Sequence, residues 1–451
     1  MRAPTIIHLP ATLSPTSFPT PSITSKPTSI FLSRSDSLSP TTAAPQPRRK
    51  NYLIYFITGN PGLIGYYDLF LSYLHLSLAD RLPPSTQVNF DVFGRSLSGF
   101  ESETRGGFLR RRCAPGGGYP AEAAGGRGAG LRPGARPPFG LEEQIKGAEW
   151  ALWDHVQGMR EQAQEQEDFD PRFEHDDEPN IILVGHSVGA YIAMEIMRRW
   201  RENLTVNGSK EGEEDEEPKG KIAGAICLFP TVTHIAKSDS GKKFSALLSM
   251  PYIALILHML VTILTFWIPS FVLFHLVQFF ACMPEDAART TTSFIKSRHG
   301  IRQALHMAKE ELRTITDDRW DAELWGAATP SPLQQPRPKL YFLWGRKDHW
   351  VADSTREELI QARGRANSNS INPSYTTTTS GSTTPTMTMP RMTRSSSARA
   401  ASEPPAEDAW KPVMEIDDTG VPHGFCIEPR HSAAVAEKVV EYVCEMVRAD
   451  S

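Results

Sequence analysis

Gly185-His186-Ser187-Val188-Gly189 sets a serine between two glycines in the pattern G-x-S-x-G. A chain that turns sharply from strand into helix needs glycine on each side, because side chains there would clash. The serine then projects from the apex, at the head of the helix. That helix N-terminus favours negative charge developing beside it. Gly185, His186 and Gly189 are therefore read as a nucleophile elbow around Ser187, with a plain tight turn as the alternative. A serine hydroxyl attacks a carbonyl only if a base takes its proton and an acid orients that base. On such a turn the chain order is Ser, acid, His. Asp348, in Gly345-Arg346-Lys347-Asp348-His349-Trp350, follows an apolar run and is the candidate acid. Its rival Asp353 is placed at the start of the next helix. His423, in Pro422-His423-Gly424-Phe425, is the candidate base. His349 adjoins the acid and cannot easily face it, and His431 falls in the last helix. Two N–H donors must also meet the oxyanion. One is the Val188 N–H. The other is the N–H of Asn60, in Thr58-Gly59-Asn60-Pro61-Gly62, since Pro61 has none.

These residues need strands ending near one another. Tyr52–Ile57 is a nearly continuous apolar run, the pattern of a strand covered on both faces. Val88–Phe93, Ile181–Val184, Ile222–Phe229, Lys339–Trp344 and a weaker Val413–Ile416 read likewise. Between them, helix-spaced apolar residues mark Tyr66–Leu78, Leu141–Val156, Ala190–Trp200 and Pro429–Val447. Alternation of strand and helix predicts an α/β fold, a mostly parallel sheet with helices on both faces. Ligands in such folds bind at the carboxyl ends of the strands, where all three candidate residues fall.

Composition bounds the rest. A net charge of −4 argues against a nucleic-acid partner. The five cysteines contain no C-x-x-C pair, so neither a disulfide framework nor a structural zinc site is expected, and the reaction calls for no metal or cofactor. Residues 1–49 are Ser/Thr/Pro-rich and predicted to be a disordered tail. Nothing in them clearly supplies further strands. Residues 101–138, 203–220 and 364–408 read as disordered inserts in a domain spanning 50–448. The 364–408 insert accounts for most of the 75 residues between Asp348 and His423.

From Phe244 to Pro284 there is no Asp, Glu, Lys or Arg across 41 residues. Such a stretch is a membrane-type signal. Both ends feed strands of one sheet, so both lie on one side of any membrane. Pro269 divides the stretch into 18 residues (251–268) and 14 (270–283), and the second piece is too short to cross a bilayer. The expectation is a hydrophobic hairpin over 244–284 dipping into one leaflet or a lipid monolayer, with a buried cap as the alternative. Its aromatic residues suit an interface.

Several blocks in order resemble the lipid droplet-associated hydrolase family, in a fungal-type version. They are Phe56–Gly62 with Tyr66-Tyr67, Gly140–Ile145, Gly185–Gly189, Leu228-Phe229-Pro230-Thr231 with Ser238–Gly241, the uncharged hairpin, Gly345–Trp350 and Pro422–Phe425. The resemblance implies an α/β-hydrolase fold and a Ser187, Asp348, His423 triad. It implies hydrolysis of neutral lipid esters, sterol esters being the proposed substrate. It implies attachment to lipid droplets, and to the cytosolic face of the endoplasmic reticulum membrane when droplets are few. A non-catalytic droplet-coating or scaffold protein is the second class of function. One departure is Gly94-Arg95-Ser96-Leu97-Ser98-Gly99, where the family usually carries histidines.

Overall fold

The computed structural model describes residues 29–33, 50–83, 86, 88–100, 136–169, 179–207, 220–326, 337–365 and 410–450. Most of the expected tail and of the three expected inserts lies outside these described residues. Seven strands form one sheet: β1 (Ser29–Ser33), β2 (Lys50–Ile57), β3 (Val88–Arg95), β4 (Asn180–His186), β5 (Lys221–Leu228), β6 (Lys339–Gly345) and β7 (Val413–Asp417). Their order is β1-β3-β2-β4-β5-β6-β7, and every neighbouring pair is parallel except β1 with β3.

β1 departs from the expectation for the tail. Ser29–Ser33 pairs antiparallel along β3, and Ile30 is the residue it buries. Five residues with one buried side chain leave almost no periodic signal, so only pairing with β3 reveals this edge strand.

Ten helices are described: α1 (Asp68–Arg81), α2 (Leu141–Phe169), α3 (Val188–Asn207), α4 (Asp239–Leu248), α5 (Ile253–Phe266), α6 (Ser270–Phe280), α7 (Glu285–Lys296), α8 (Gly300–Thr314), α9 (Asp353–Arg363) and α10 (Pro429–Asp450). β2 shows why the sheet is covered twice. Leu53, Tyr55 and Ile57 enter a core built with α2 and α3, while Tyr52, Ile54 and Phe56 enter one built with α1 and α10. Each such buried side chain contributes about 1.5–3 kcal/mol of transfer free energy. α1 carries Asp68 in its first turn and Arg81 in its last, matching the helix dipole at both ends.

From β2 the chain crosses to β3 on one side, then returns to β4 on the other. The carboxyl ends of β2 and β4 thus flank the point where strand order reverses, the crevice in which open α/β sheets bind ligands.

The uncharged stretch folds as α5 and α6, with Phe244–Leu248 completing α4. Among the described residues no single helix is long and apolar enough to cross a membrane. The two helices do not stand off as a hairpin. They lie against α7 and α8, and the Lys296 ammonium donates to the Thr265 and Ile268 carbonyls, tying the turn between them to the end of α7. The buried-cap alternative fails on the outer surface. α5 buries no residue fully and α6 only Leu273. Ile256, Leu260, Ile263, Leu264, Phe271 and Phe279 all face outward, and Trp267 is 85% exposed. The pair thus carries no charged residue, lies outside the core and turns large apolar side chains to the surface.

Candidate active site

The elbow is built as its glycines require. A Cβ on Gly185 would run into the Gly189 carbonyl, and one on Gly189 into the Ile57 carbonyl of β2. Between them Ser187 takes φ 55°, in the left-handed region, which costs a non-glycine residue about 1–3 kcal/mol. Two neighbours hold it there. Ser187 N–H donates to the Leu228 carbonyl at the end of β5 (3.0 Å), and the Ser187 carbonyl accepts from Ala190 N–H (3.0 Å).

Three loops bring three side chains together. His423 Nε2 accepts from Ser187 Oγ (3.0 Å), and its Nδ1–H donates to Asp348 Oδ2 (2.7 Å). The other oxygen of Asp348 accepts the Trp350 N–H (2.8 Å), so the carboxylate is held from two directions. All three residues are buried. Asp353 opens α9 and pairs with Arg356 (2.9 Å). Arg356 in turn donates to the Gly345 carbonyl (2.9 Å), bracing the start of the Asp348 loop. His431 lies in the first turn of α10, and the His349 ring sits 6.1 Å from that of His423.

The loop after β2 passes over the serine: a Cβ on Gly59 would lie 3.1 Å from Ser187 Cβ. Gly59 N–H is already used, donating to the Tyr67 hydroxyl (3.1 Å), which leaves Asn60 as the loop amide to consider. Its side chain is anchored, Nδ2 donating to the Ala304 carbonyl (3.0 Å) and to Glu311 Oε1 (2.9 Å). Val188 opens α3, so its N–H has no acceptor within the helix. The Ser96–Gly99 turn braces this loop. Ser96 Oγ accepts Ile64 N–H (3.1 Å), and Leu97 N–H donates to the Gly62 carbonyl (2.9 Å).

Sequence reasoning missed two buried polar groups here, Tyr67 and Glu311. Glu311 was findable: the inward stripe of α8 reads Gly300, Gln303, Met307, Glu311, a carboxyl in a position spaced for burial. Burial pushes that carboxyl up to about 8, with Asn60 opposing more weakly. Among the described residues no cluster of His, Cys, Asp or Glu could hold a metal ion.

A serine on a strained strand-to-helix turn, hydrogen-bonded to a histidine that is itself hydrogen-bonded to an aspartate, both from later loops of a mostly parallel sheet, defines a protein of the α/β-hydrolase fold. The model of the lipid-droplet associated hydrolase family matches residues 50–380. The chain belongs to that family, and so to the hydrolases. It is 24% identical over 312 residues to the lipid droplet-associated hydrolase of Gallus gallus, covering 68% of this chain and 73% of that protein. Among solved structures it is similar to an esterase from Thermogutta terrifontis (10% identity, TM-score 0.39, 93% of each chain). An epoxide hydrolase from Vigna radiata is another (13% identity, TM-score 0.38, 89% of this chain and 92% of that one). Ser187 and Asp348 fall inside the family match and His423 beyond it.

Proposed function

We propose that this chain is a serine ester hydrolase acting on neutral lipid esters, sterol esters or acylglycerols, at the surface of lipid droplets. The observation that carries the reading is the unbroken hydrogen-bond chain Ser187–His423–Asp348 in a protein that also turns two uncharged, largely apolar helices outward. Ser187 Oγ attacks the ester carbonyl while His423 Nε2 takes its proton. Asp348 keeps that nitrogen free of hydrogen beforehand and stabilises the imidazolium afterwards. The tetrahedral oxyanion is met by the N–H groups of Val188 and Asn60. The proton passes from His423 to the departing alcohol, and water, activated by the same imidazole, releases the acid from Ser187.

α5 and α6 give this chemistry its place. Laid in a phospholipid monolayer, their outer faces would take large apolar side chains and no charge out of water, and the same faces would bind the endoplasmic reticulum membrane when droplets are scarce. The burial of Ser187 favours one second reading, a droplet-coating protein whose triad is closed to substrate. Purified protein presented with emulsified sterol ester and triacylglycerol separates the two. Hydrolysis that falls at least about a thousandfold in Ser187→Ala is expected, with fluorophosphonate labelling lost in the variant. No hydrolysis by the wild type, or equal labelling of both proteins, would refute the enzyme reading.

A further inference from the structure

His186 and Tyr67 stand one step behind the triad and share its loops. Both are buried, at 4% and 3% exposed. His186 Nε2 lies 2.9 Å from the main-chain carbonyl of His423, and His186 Nδ1 lies 2.7 Å from the Tyr67 hydroxyl. That hydroxyl also receives the Gly59 N–H. With a neutral His186 ring, one arrangement of hydrogens satisfies these three contacts. A carbonyl can only accept, so Nε2 of His186 carries the hydrogen. Burial, and then the neighbouring His423 imidazole, hold His186 well below its ordinary value, so the ring is neutral and Nδ1 is an acceptor. Tyr67, which burial holds well above its usual range, must then donate to Nδ1, and its oxygen accepts from Gly59.

We infer that Tyr67 and His186 are positioning residues, a buried relay that fixes the oxyanion loop, the nucleophile elbow and the main chain of the base relative to one another. The inference rests on the serine hydrolase reading above. Each end of the relay touches something that reaction needs in register. Gly59 precedes Asn60, His186 precedes Ser187, and the accepting carbonyl belongs to His423. The three loops follow β2, β4 and β7, and β7 lies at the far edge of the sheet, so strand pairing alone does not hold the base loop against the other two. Phe425 packs edge-on against both Tyr67 and His186, at 6.3 and 5.0 Å between ring centroids, and keeps water from competing for the relay.

Tyr67→Phe is the decisive variant. It keeps the ring that packs on Phe56 and removes one oxygen, leaving Gly59 N–H and His186 Nδ1 without partners. On a soluble short-chain ester, kcat should fall about tenfold to a hundredfold, with KM within about twofold, because alignment is lost and binding is not. The rate of fluorophosphonate labelling at Ser187 should fall in step. His186→Leu should do the same, and His186→Gln, which keeps a donor for the His423 carbonyl, should recover most of the loss. Wild-type kcat in folded Tyr67→Phe, or no better activity in His186→Gln than in His186→Leu, would overturn the relay while leaving the nucleophile in place. Equal labelling of wild type and Ser187→Ala would instead overturn the nucleophile, and the relay with it.

Discussion

Glu311→Gln tests whether a carboxyl buried beneath the oxyanion loop is held protonated in the native protein. Glu311 sits on the inward stripe of α8, and its Oε1 accepts from Asn60 Nδ2 at 2.9 Å. Burial pushes its carboxyl from 4.5 up to about 8. The folded chain therefore keeps a proton that the unfolded chain releases once pH exceeds 4.5. The stability this group allows is fully present below pH 4.5 and is lost as pH rises toward 8. The slope is about 1.4 kcal/mol per pH unit for one proton. Between about pH 5 and pH 7 the loss comes to about 2–3 kcal/mol, or about 5 °C in Tm for a chain of this size. The glutamine amide of the variant would still accept the Asn60 N–H and has nothing to ionise. The Tm of Glu311→Gln should thus gain on wild type by about 5 °C between about pH 5 and pH 7. Differential scanning calorimetry at matched ionic strength measures it. Parallel Tm curves for the two proteins would show that the carboxyl is ionised or solvated in the fold, and the reasoning would fail.

The acid and base assignments separate by mutation. His423→Ala should cost at least about a thousandfold in kcat while His431→Ala stays near wild type, read on a soluble ester. Asp348→Asn should lower kcat by about 10⁴-fold, since the imidazole would sit in the wrong tautomer. A severe effect from Asp353→Asn with Asp348→Asn mild would reverse the roles. Leu260→Asp with Phe279→Asp should release a fluorescent fusion from droplets into the cytosol. Each acid costs about 2.5–3.5 kcal/mol at the centre of a membrane segment. Both positions are outward-facing, at 50% and 75% exposed, so Tm should barely move. Droplet rings as bright as wild type would show that α5 and α6 do not mediate attachment.

Much of this protein is written locally. The two-face strands, the turn chemistry of Gly185–Gly189 and the strand-end loops that carry Asp348 and His423 all depend on neighbours a few residues away. Continuous burial of two-faced strands, glycine at a crossing and loops at strand ends leave their marks in the sequence itself. The absence of charge over 244–284 likewise marked those residues as an uncommonly apolar stretch, because composition alone sets the cost of wetting them. What depends on packing between distant segments was not legible. β1 exists only because β3 offers an open edge. That α5 and α6 lie flat on α7 and α8, rather than forming a free hairpin, follows from an inner stripe meeting those helices and from Lys296 reaching two carbonyls. Tyr67 reads as an ordinary aromatic, and Glu311 shows its burial in the α8 stripe but not its partner. Their roles arise from desolvation and from partners 119 and 251 residues away, His186 and Asn60, which no local pattern encodes.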